Sequence, residues 1–236
     1  MIYHSAAFTD KGKRENNEDS YDFACSNDLF SAVVADGLGG HLNGEVASRI
    51  AVDSIMDHLE CAEYDEDEAI SAFLRANQNI CSANLSGHST AALLWLSKGK
   101  AIAAHVGDTR IYHFRNGGIQ YQSSDHSVVQ LSVSSGNIRP EDVRHHKDRN
   151  KLFRVLGDPN ERLIVDSEEL QVLPGDAFLI CSDGFWEAVE EDKMLDTLHC
   201  SPTPKVWLDA MLDIVVAEND PKQDNYTAVC IYCEEE

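Results

Sequence analysis

Apolar residues along the chain fall into two patterns, continuous short runs and stripes with helical spacing. The runs predict strands over residues 31–35, 91–96, 101–106, 110–114 and 177–181, with a last strand after Asp224 and Asn225. The stripes predict three helices, with apolar faces formed by Ala47, Ile50, Ala51, Ile55 and Leu59, by Ile70, Phe73, Leu74, Asn77 and Cys81, and by Trp207, Ala210, Met211, Ile214 and Val215. Because the strands follow one another through short turns while the helices are grouped, this order indicates an α+β fold with mostly antiparallel sheets covered by helices.

The polar stretch at about residues 136–160 interrupts this pattern and is expected to be mobile. The chain has 236 residues, 43% of them hydrophobic and 25% charged, without repeats or low-complexity linkers. These values predict a single domain over residues 1–236 with a substantial core.

The formal net charge of −22 limits the kinds of partner. Such a field repels nucleic acid and anionic lipid, so neither is expected as a main partner. No apolar run is long enough to cross a membrane, and the first residues lack the pattern of a signal peptide, which predicts a cytoplasmic protein. Seven scattered cysteines do not form a disulfide pattern, and Cys230 and Cys233 are expected on opposite faces of the last strand as buried free thiols.

Aspartates recur at the ends of the apolar strands. Asp36, Asp108 and Asp183 each follow a strand, and Asp224 shortly precedes the last one. A single Asp-Gly pair is usually a turn, but carboxylates gathered at one sheet edge repel each other unless cations hold them. Hard oxygen ligands prefer Mg²⁺, Mn²⁺ or Ca²⁺ to Zn²⁺. The sequence therefore predicts a metal site built from carboxylates.

Other phosphate and hydrolase chemistries lack their motifs here. The chain has no HExxH or paired CxxC zinc pattern, no EF-hand loop, no GxxxxGK[ST], no GxSxG, and no cysteine with an arginine six residues downstream. Two divalent ions can activate water and clamp a phosphoryl group for in-line displacement. Metal-assisted phosphoryl transfer to water is the chemistry that these absences leave.

The chain resembles the metal-dependent protein phosphatases (PPM), the type 2C serine/threonine phosphatases, through motifs that occur in family order. They are Arg14-Glu-Asn-Asn-Glu-Asp19-Ser20, Asp36-Gly-Leu-Gly-Gly-His41 with Gly44-Glu45, Gly87-His-Ser-Thr-Ala91, Ala104-His-Val-Gly-Asp108-Thr-Arg110, Asp125-His126, Leu156-Gly157, Cys181-Ser-Asp-Gly184 and Asp224-Asn225-Tyr-Thr227. The resemblance implies an α/β/β/α sandwich. It also implies Mn²⁺- or Mg²⁺-dependent hydrolysis of phosphoserine and phosphothreonine in proteins by a metal-activated water, and a mobile flap at about 136–160.

The resemblance also implies metal ligands. Asp36 would bridge two ions, the Gly37 carbonyl would bind the second, and Asp183 and Asp224 would hold the first. Asp19 is expected to contact metal or its waters. With Arg14, the residues Asp36, Asp183 and Asp224 form the predicted catalytic set.

Arg14 and two neighbours of the ligands have supporting roles in this interpretation. Arg14 would receive the substrate phosphate, although beside Lys11 and Lys13 it also fits an ordinary surface arginine. Glu18 and Asn225 would orient the ligands without binding metal.

A third, weaker metal is implied on Asp108, Asp183 and Glu187, while Asp108 equally fits a turn cap beside Arg110. Several family members have a histidine, the proposed general acid, where Leu38 stands, and leucine cannot donate a proton. Glu187 stands where some members have aspartate, and Thr109 replaces a common serine.

Two other functions remain open from the sequence. One is a catalytically silent phosphatase-fold module that binds or senses a ligand, which Leu38 favours. The other is an acidic calcium-binding interaction protein, which the lack of a calcium loop disfavours. For the phosphatase, the expected partners are phosphorylated substrates of a serine/threonine kinase.

Overall fold

Two five-stranded antiparallel sheets face each other in a computed structural model that describes residues 1–26, 28–39, 42–160 and 162–235. The first sheet has the order β1 (Ile2–Asp10), β12 (Tyr226–Glu234), β11 (Ala177–Cys181), β8 (Arg110–Arg115) and β9 (Gly118–Gln122). The second has the order β10 (Asp166–Gln171), β7 (Lys100–Val106), β6 (Ala91–Ser97), β3 (Leu29–Ala35) and β2 (Ser20–Ser26). The two-residue strands β4 (Gly37–Leu38) and β5 (His88–Ser89) form a small separate ladder.

The central strands are buried on both faces, which explains their continuous apolar runs. On β12, Val229 and Ile231 point into the core between the sheets, while Ala228 and Cys230 point to the outer layer. Cys233 joins the core between the sheets, so the two cysteines of the CxxC pattern lie on opposite faces, as predicted.

Helices cover the outer face of each sheet. The second sheet is covered by α1 (Leu42–Leu59) and α2 (Glu66–Ser82), and the first by α5 (Glu191–His199) and α6 (Pro204–Glu218). Each helical layer has its own buried cluster, containing Phe73 on one side and Trp207 on the other. The predicted α/β/β/α sandwich is confirmed.

The helical faces were predicted with different success. On α1, Ala47, Ala51 and Ile55 are fully buried, as expected. On α2 the expected face was wrong in part, because Leu74 is 41% exposed. The buried stripe consists of Ala69, Ala72, Phe73, Ala76 and Ile80. Three of these five residues are alanines, and they mark the core face of α2 better than Leu74 does.

The segment 136–160 has little regular structure. It follows α3 (Val128–Ser134) and contains a 3-10 helix, Pro140–Asp142, with turns after it. Its end is tied to β5 of the small ladder, where Leu156 and Ser89 exchange backbone hydrogen bonds of 2.7 and 3.0 Å. Among the described helices, none is both long and apolar enough to cross a membrane. Gly40 and His41 of the DGxGGH-like motif lie outside the described residues.

Candidate metal centre

The aspartates that end apolar strands meet at one edge of the sandwich. Asp36 follows β3, Asp108 follows Val106 of β7, and Asp183 follows β11 as the first residue of the short helix α4 (Asp183–Trp186). Asp224 lies two residues before β12. Rigid, doubly covered strands thus bring together acids from distant parts of the chain.

The carboxylates of this cluster lie close enough to raise one another's pKa. Burial raises the pKa of the Asp36 carboxyl well above its usual range, and the charges of Asp183, Asp19, Asp108 and Asp224 raise it further. Burial likewise raises the pKa of Asp183 well above its usual range, with Asp108 and Asp224 as the main charged neighbours. Like charges in a buried site raise each other's pKa unless cations compensate them.

Asp19 is buried, and its two carboxylate oxygens have different surroundings. Oδ2 accepts hydrogen bonds of 2.7 Å from both Ser182 Oγ and Thr227 Oγ1. Oδ1 is buried without a hydrogen-bond partner in the described part of the chain. Burial raises the pKa of Asp19 to about 6 despite the two hydroxyl donors. One oxygen is therefore fixed by the protein, while the other is available to a ligand.

Gly37 lies where no side chain fits. A Cβ there would overlap the carbonyl oxygen of Gly44 near the start of α1, and would lie 2.7 Å from the carbonyl oxygen of Glu18. A Cβ on Gly44 would in turn lie 2.7 Å from Glu18 Oε2. The glycines thus let the backbone of the Asp36 loop and the Glu18 carboxylate approach each other closely.

Two arginines bind carboxylates at the rim of the cluster. Arg14 Nη2 donates to Asp224 Oδ2 at 2.5 Å, and Arg149, from the segment 136–160, makes a bidentate ion pair with Glu187. Arg14 thus lies beside the centre, and its role as the phosphate receptor stays a prediction. Glu187, a predicted ligand of the third metal, has both oxygens engaged by Arg149.

Asn225 joins the amino-terminal motif to the last aspartate. Its Oδ1 accepts from the Glu18 amide at 2.8 Å, and its Nδ2 donates to the carbonyls of Lys11 and Asn16, each at 2.9 Å. It therefore holds the backbone of this segment in place, while its role in orienting metal ligands stays a prediction.

Asp108 is buried beside an ion pair that does not include it. Arg110 makes a bidentate ion pair with Asp125, with two distances of 2.8 Å, and stacks over Trp186. Burial raises the pKa of Asp108 to about 7, and Asp125 contributes to this rise. Among the described residues, the Asp108 carboxylate makes no ion pair, and its role in binding a third metal stays a prediction.

The cluster fits divalent cations by its chemistry, although its side chains are not yet arranged as a complete ligand set. Over residues 1–26, 28–39, 42–160 and 162–235, no group of three or more His, Cys, Asp or Glu side chains is placed to hold an ion together. Asp224 is turned to Arg14, and Asp19 Oδ2 to two hydroxyls. The buried Oδ1 of Asp19 and the raised pKa values of Asp36 and Asp183 nevertheless indicate a demand for positive charge.

Two further residues of the motifs, His105 and Leu38, lie on β7 and β4. His105 is a buried strand histidine whose Nε2 lies 2.9 Å from the Ser124 carbonyl. Leu38 is half-buried on β4, directly opposite His88. The sequence interpretation missed Ser182 and Thr227 as partners of Asp19, and Arg149 as the partner of Glu187. Ser182 and Thr227 both lie inside motifs of the sequence analysis, at 181–184 and 224–227, which was the available signal.

Comparison with known proteins agrees with this geometry. The family model described as Protein phosphatase 2C matches residues 11–213. The chain belongs to this family. It is 31% identical over 239 residues to the serine/threonine protein phosphatase PstP of Mycobacterium tuberculosis, covering 97% of this chain and 45% of PstP. It is also 31% identical over 242 residues to the serine/threonine phosphatase stp of Listeria welshimeri, covering 97% of this chain and 95% of that protein.

Solved structures of this family have the same fold. The M. tuberculosis phosphatase PstP/Ppp superimposes with a TM-score of 0.87 at 27% identity, over 100% of both chains. The catalytic domain of PstP in complex with two manganese ions superimposes with a TM-score of 0.84 at 25% identity, over 99% of both chains. The predicted family is confirmed, its named relatives are serine/threonine phosphatases, and one solved relative is in complex with two manganese ions. The chain spans about half the length of PstP and almost all of the Listeria protein.

Proposed function

We propose that residues 1–236 form one catalytic domain that removes phosphate from phosphoserine and phosphothreonine in proteins. The observation that supports this most strongly is the cluster of aspartates at one edge of the sandwich, in which Asp19 and Asp183 are buried and Asp36 and Asp224 are half-buried. A silent binding module would have no need to retain these acids, which destabilise one another without cations.

The metal site would be assembled from these groups. Asp36 and the Gly37 carbonyl would hold one ion, Asp36, Asp183 and Asp224 the other, and the free Oδ1 of Asp19 would contact metal or its waters. Divalent ions bound here supply an acidified water and a positive clamp for the phosphoryl oxygens. The chain itself contributes the orientation: Ser182 and Thr227 fix Asp19, and Asn225 holds the backbone beside Glu18.

Arg14 would change partner during the reaction. It binds Asp224 in the present arrangement, and its exposed guanidinium can turn to the phosphate when cations neutralise that carboxylate. A planar guanidinium binds two phosphate oxygens at once, which suits this role. Asp108 and Asp183 would hold a third ion, and Glu187 could join them only by leaving Arg149.

The partners would be phosphoproteins, in particular substrates of a serine/threonine kinase. A cytoplasmic location stays a prediction, as does the mobility of the segment at about 136–160.

The deciding experiment measures the hydrolysis of a phosphothreonine peptide with Mn²⁺ and with chelator. The wild type should turn over only with Mn²⁺, and Asp36→Asn and Asp183→Asn should lose both turnover and Mn²⁺ binding by isothermal titration calorimetry. Asp57→Asn, an exposed change on α1, is the matched control and should behave like the wild type.

Two results would contradict the proposal. A folded wild type that binds Mn²⁺ but leaves several phosphopeptides intact would favour the silent binding module. Turnover that persists in a folded Asp36→Asn variant would exclude the proposed ligand set.

A further inference from the structure

Two cavities adjoin each other beside the candidate metal centre. The first, called the cleft, has a volume of about 510 Å³ and is lined by Arg14, Arg149, Glu187 and Asp224. The second, called the side cavity, has a volume of about 600 Å³ and lies between residues 122–145 and the start of α5. Arg144 and His145 line both cavities. A ligand that occupies the cleft can therefore extend past these residues into the side cavity.

The two cavities differ in charge. The cleft has cations and carboxylates in equal number: it is lined by Arg14, Arg144, Arg149 and Lys222, and by Glu187, Glu218, Asp220 and Asp224. The side cavity is lined by an excess of carboxylates, which are Asp125, Glu141, Glu190, Glu191 and Asp192. A molecule that spans both would fit best with its phosphate in the cleft and a positive charge in the side cavity.

The cations of the side cavity are already paired. Arg110 is bound to Asp125 at 2.8 Å, and Arg144 Nη2 donates to Glu191 Oε2 at 2.7 Å. Glu190 and Asp192, both exposed at the start of α5, make no ion pair with any described residue. The dipole of α5 stabilises negative charges at its N-terminus, which suits both residues. Their charges also leave the cavity with uncompensated negative charge.

Arg144 is a buried polar group at the boundary with an unmet hydrogen bond. Its side chain is 10% exposed, and its guanidinium lies over Trp186 at 5.5 Å from the ring centroid. Its Nη1 is buried without an acceptor in the described ranges. An unpaired buried donor is unfavourable, so an acceptor supplied by a ligand would be stabilising. A peptide backbone that crosses this boundary would bring carbonyl oxygens to the guanidinium.

We propose that the side cavity binds a lysine or arginine side chain of the phosphoprotein substrate, on the same peptide as the phosphorylated residue. This inference rests on the proposed phosphatase function and adds a substrate class to it. The backbone of the peptide would pass Arg144, and the basic side chain would lie between Glu190 and Asp192. The alternative occupant with the opposite charge, a second phosphate or an acidic side chain, would meet these carboxylates and be repelled.

The experiment compares kcat/KM of the Mn²⁺-loaded full chain on a set of phosphothreonine peptides. Arginine, glutamine or glutamate is placed in turn at each of several positions on both sides of the phosphothreonine. An exposed ion pair strengthens binding only by a small factor. We therefore expect arginine to be preferred over glutamine by about three- to tenfold at one position, and glutamate to be disfavoured there. This preference should shrink at high salt.

Variants locate the effect. In the double variant Glu190→Gln, Asp192→Asn the ratio of kcat/KM for the arginine peptide to that for the glutamine peptide should fall close to one, and in Glu190→Lys, Asp192→Lys it should invert. The ratio is measured within each variant, so a general loss of activity does not affect it, and circular dichroism checks folding. Asp57→Asn should retain the wild-type ratio.

The outcomes separate the two proposals. If the wild type hydrolyses the peptides without preferring a basic residue at any position, the inference about the side cavity is wrong and the phosphatase function stands. A preference for glutamate or for a second phosphothreonine, or a basic preference that the double variant keeps, would also overturn it. If no peptide is hydrolysed, the proposed function itself fails.

Discussion

Asn225 accepts a hydrogen bond of 2.8 Å on its Oδ1 from the backbone amide of Glu18, which is 207 residues earlier in the chain. Its Nδ2 donates to the carbonyls of Lys11 and Asn16. One carboxamide thus fixes the segment that carries Arg14 and Glu18 to the residue next to Asp224. Together with the hydrogen bond from the Gly37 amide to the Glu18 carbonyl, this side chain holds the amino-terminal motif at the metal centre.

Replacing Asn225 should therefore damage both stability and metal binding. Asn225 is buried, and Asn225→Ala removes the three hydrogen bonds of its side chain. Each such bond contributes about 0.5–1.5 kcal/mol to stability. We expect the free energy of unfolding to fall by about 2–3 kcal/mol, and Mn²⁺ affinity to fall about tenfold, as for other groups that orient ligands. Denaturant unfolding and calorimetry measure these effects. Asn137→Ala, an exposed change, is the control, and unaltered Mn²⁺ affinity in Asn225→Ala would contradict the orienting role.

Gly37→Ala should be far more harmful than the same change at Gly118. The new Cβ at Gly37 would overlap the Gly44 carbonyl, whereas at Gly118 its nearest neighbour would be 3.8 Å away. Because backbone blocks the site at Gly37, the strand end itself must move, and we expect a loss of more than about 2 kcal/mol in stability. Thermal unfolding and Mn²⁺ titration of the two variants test this. Equal behaviour of the two alanines would show that the Asp36 loop tolerates displacement.

The sequence predicted the covered strands better than the edges of the fold. The strand 177–181 was predicted with its observed bounds, because its residues are buried on both faces and form an uninterrupted apolar run. The edge strands β2 and β10 were missed, since most of their residues are exposed and the sequence DSEELQ of β10 has no apolar run. Edge strands are defined by the neighbour that they pair with, and that information is long-range.

The candidate centre was predictable as a set of residues but not as a set of contacts. Asp36, Asp183 and Asp224 were found because each lies at the end of an apolar strand. The hydrogen bonds of Asp19 to Ser182 and Thr227, and the ion pair of Glu187 with Arg149, join segments that no local pattern relates. The role proposed for the exposed Glu190 and Asp192 likewise depends on the side cavity, which no sequence pattern predicts.

Arg14 should act on the substrate and not on metal binding. A hydrogen-bonded ionic contact contributes about 1.5–3 kcal/mol, so Arg14→Ala should lower kcat/KM for a phosphopeptide about 10- to 100-fold. Arg14→Lys keeps the positive charge but loses the planar guanidinium, so its kcat/KM should lie between those of the wild type and Arg14→Ala. Mn²⁺ affinity should not weaken, because removing Arg14 frees Asp224 from a competing cation. Arg75→Ala, an exposed arginine on α2, is the control. A parallel loss of Mn²⁺ affinity would instead assign Arg14 to the maintenance of the metal site.

The stability of the chelated protein should depend on pH through Asp108. Its pKa is raised from 3.8 to about 7 by burial, so the folded state keeps a proton that the unfolded state has released. The free energy of unfolding should therefore fall as pH rises between these two values, by at most about 1.4 kcal/mol per pH unit.

Asp108→Asn is uncharged at every pH and lacks this contribution. Other groups titrate in the same range, among them His126, whose pKa burial lowers to about 4, but they are present in both proteins. The difference in free energy of unfolding between wild type and Asp108→Asn, measured by urea unfolding in chelator from pH 5 to pH 7, should report the titration of Asp108 together with its effect on Asp183 and Asp36, whose pKa values its charge raises. A constant difference across this range would mean that Asp108 is already ionised in the folded protein, with a counter-charge other than a metal ion.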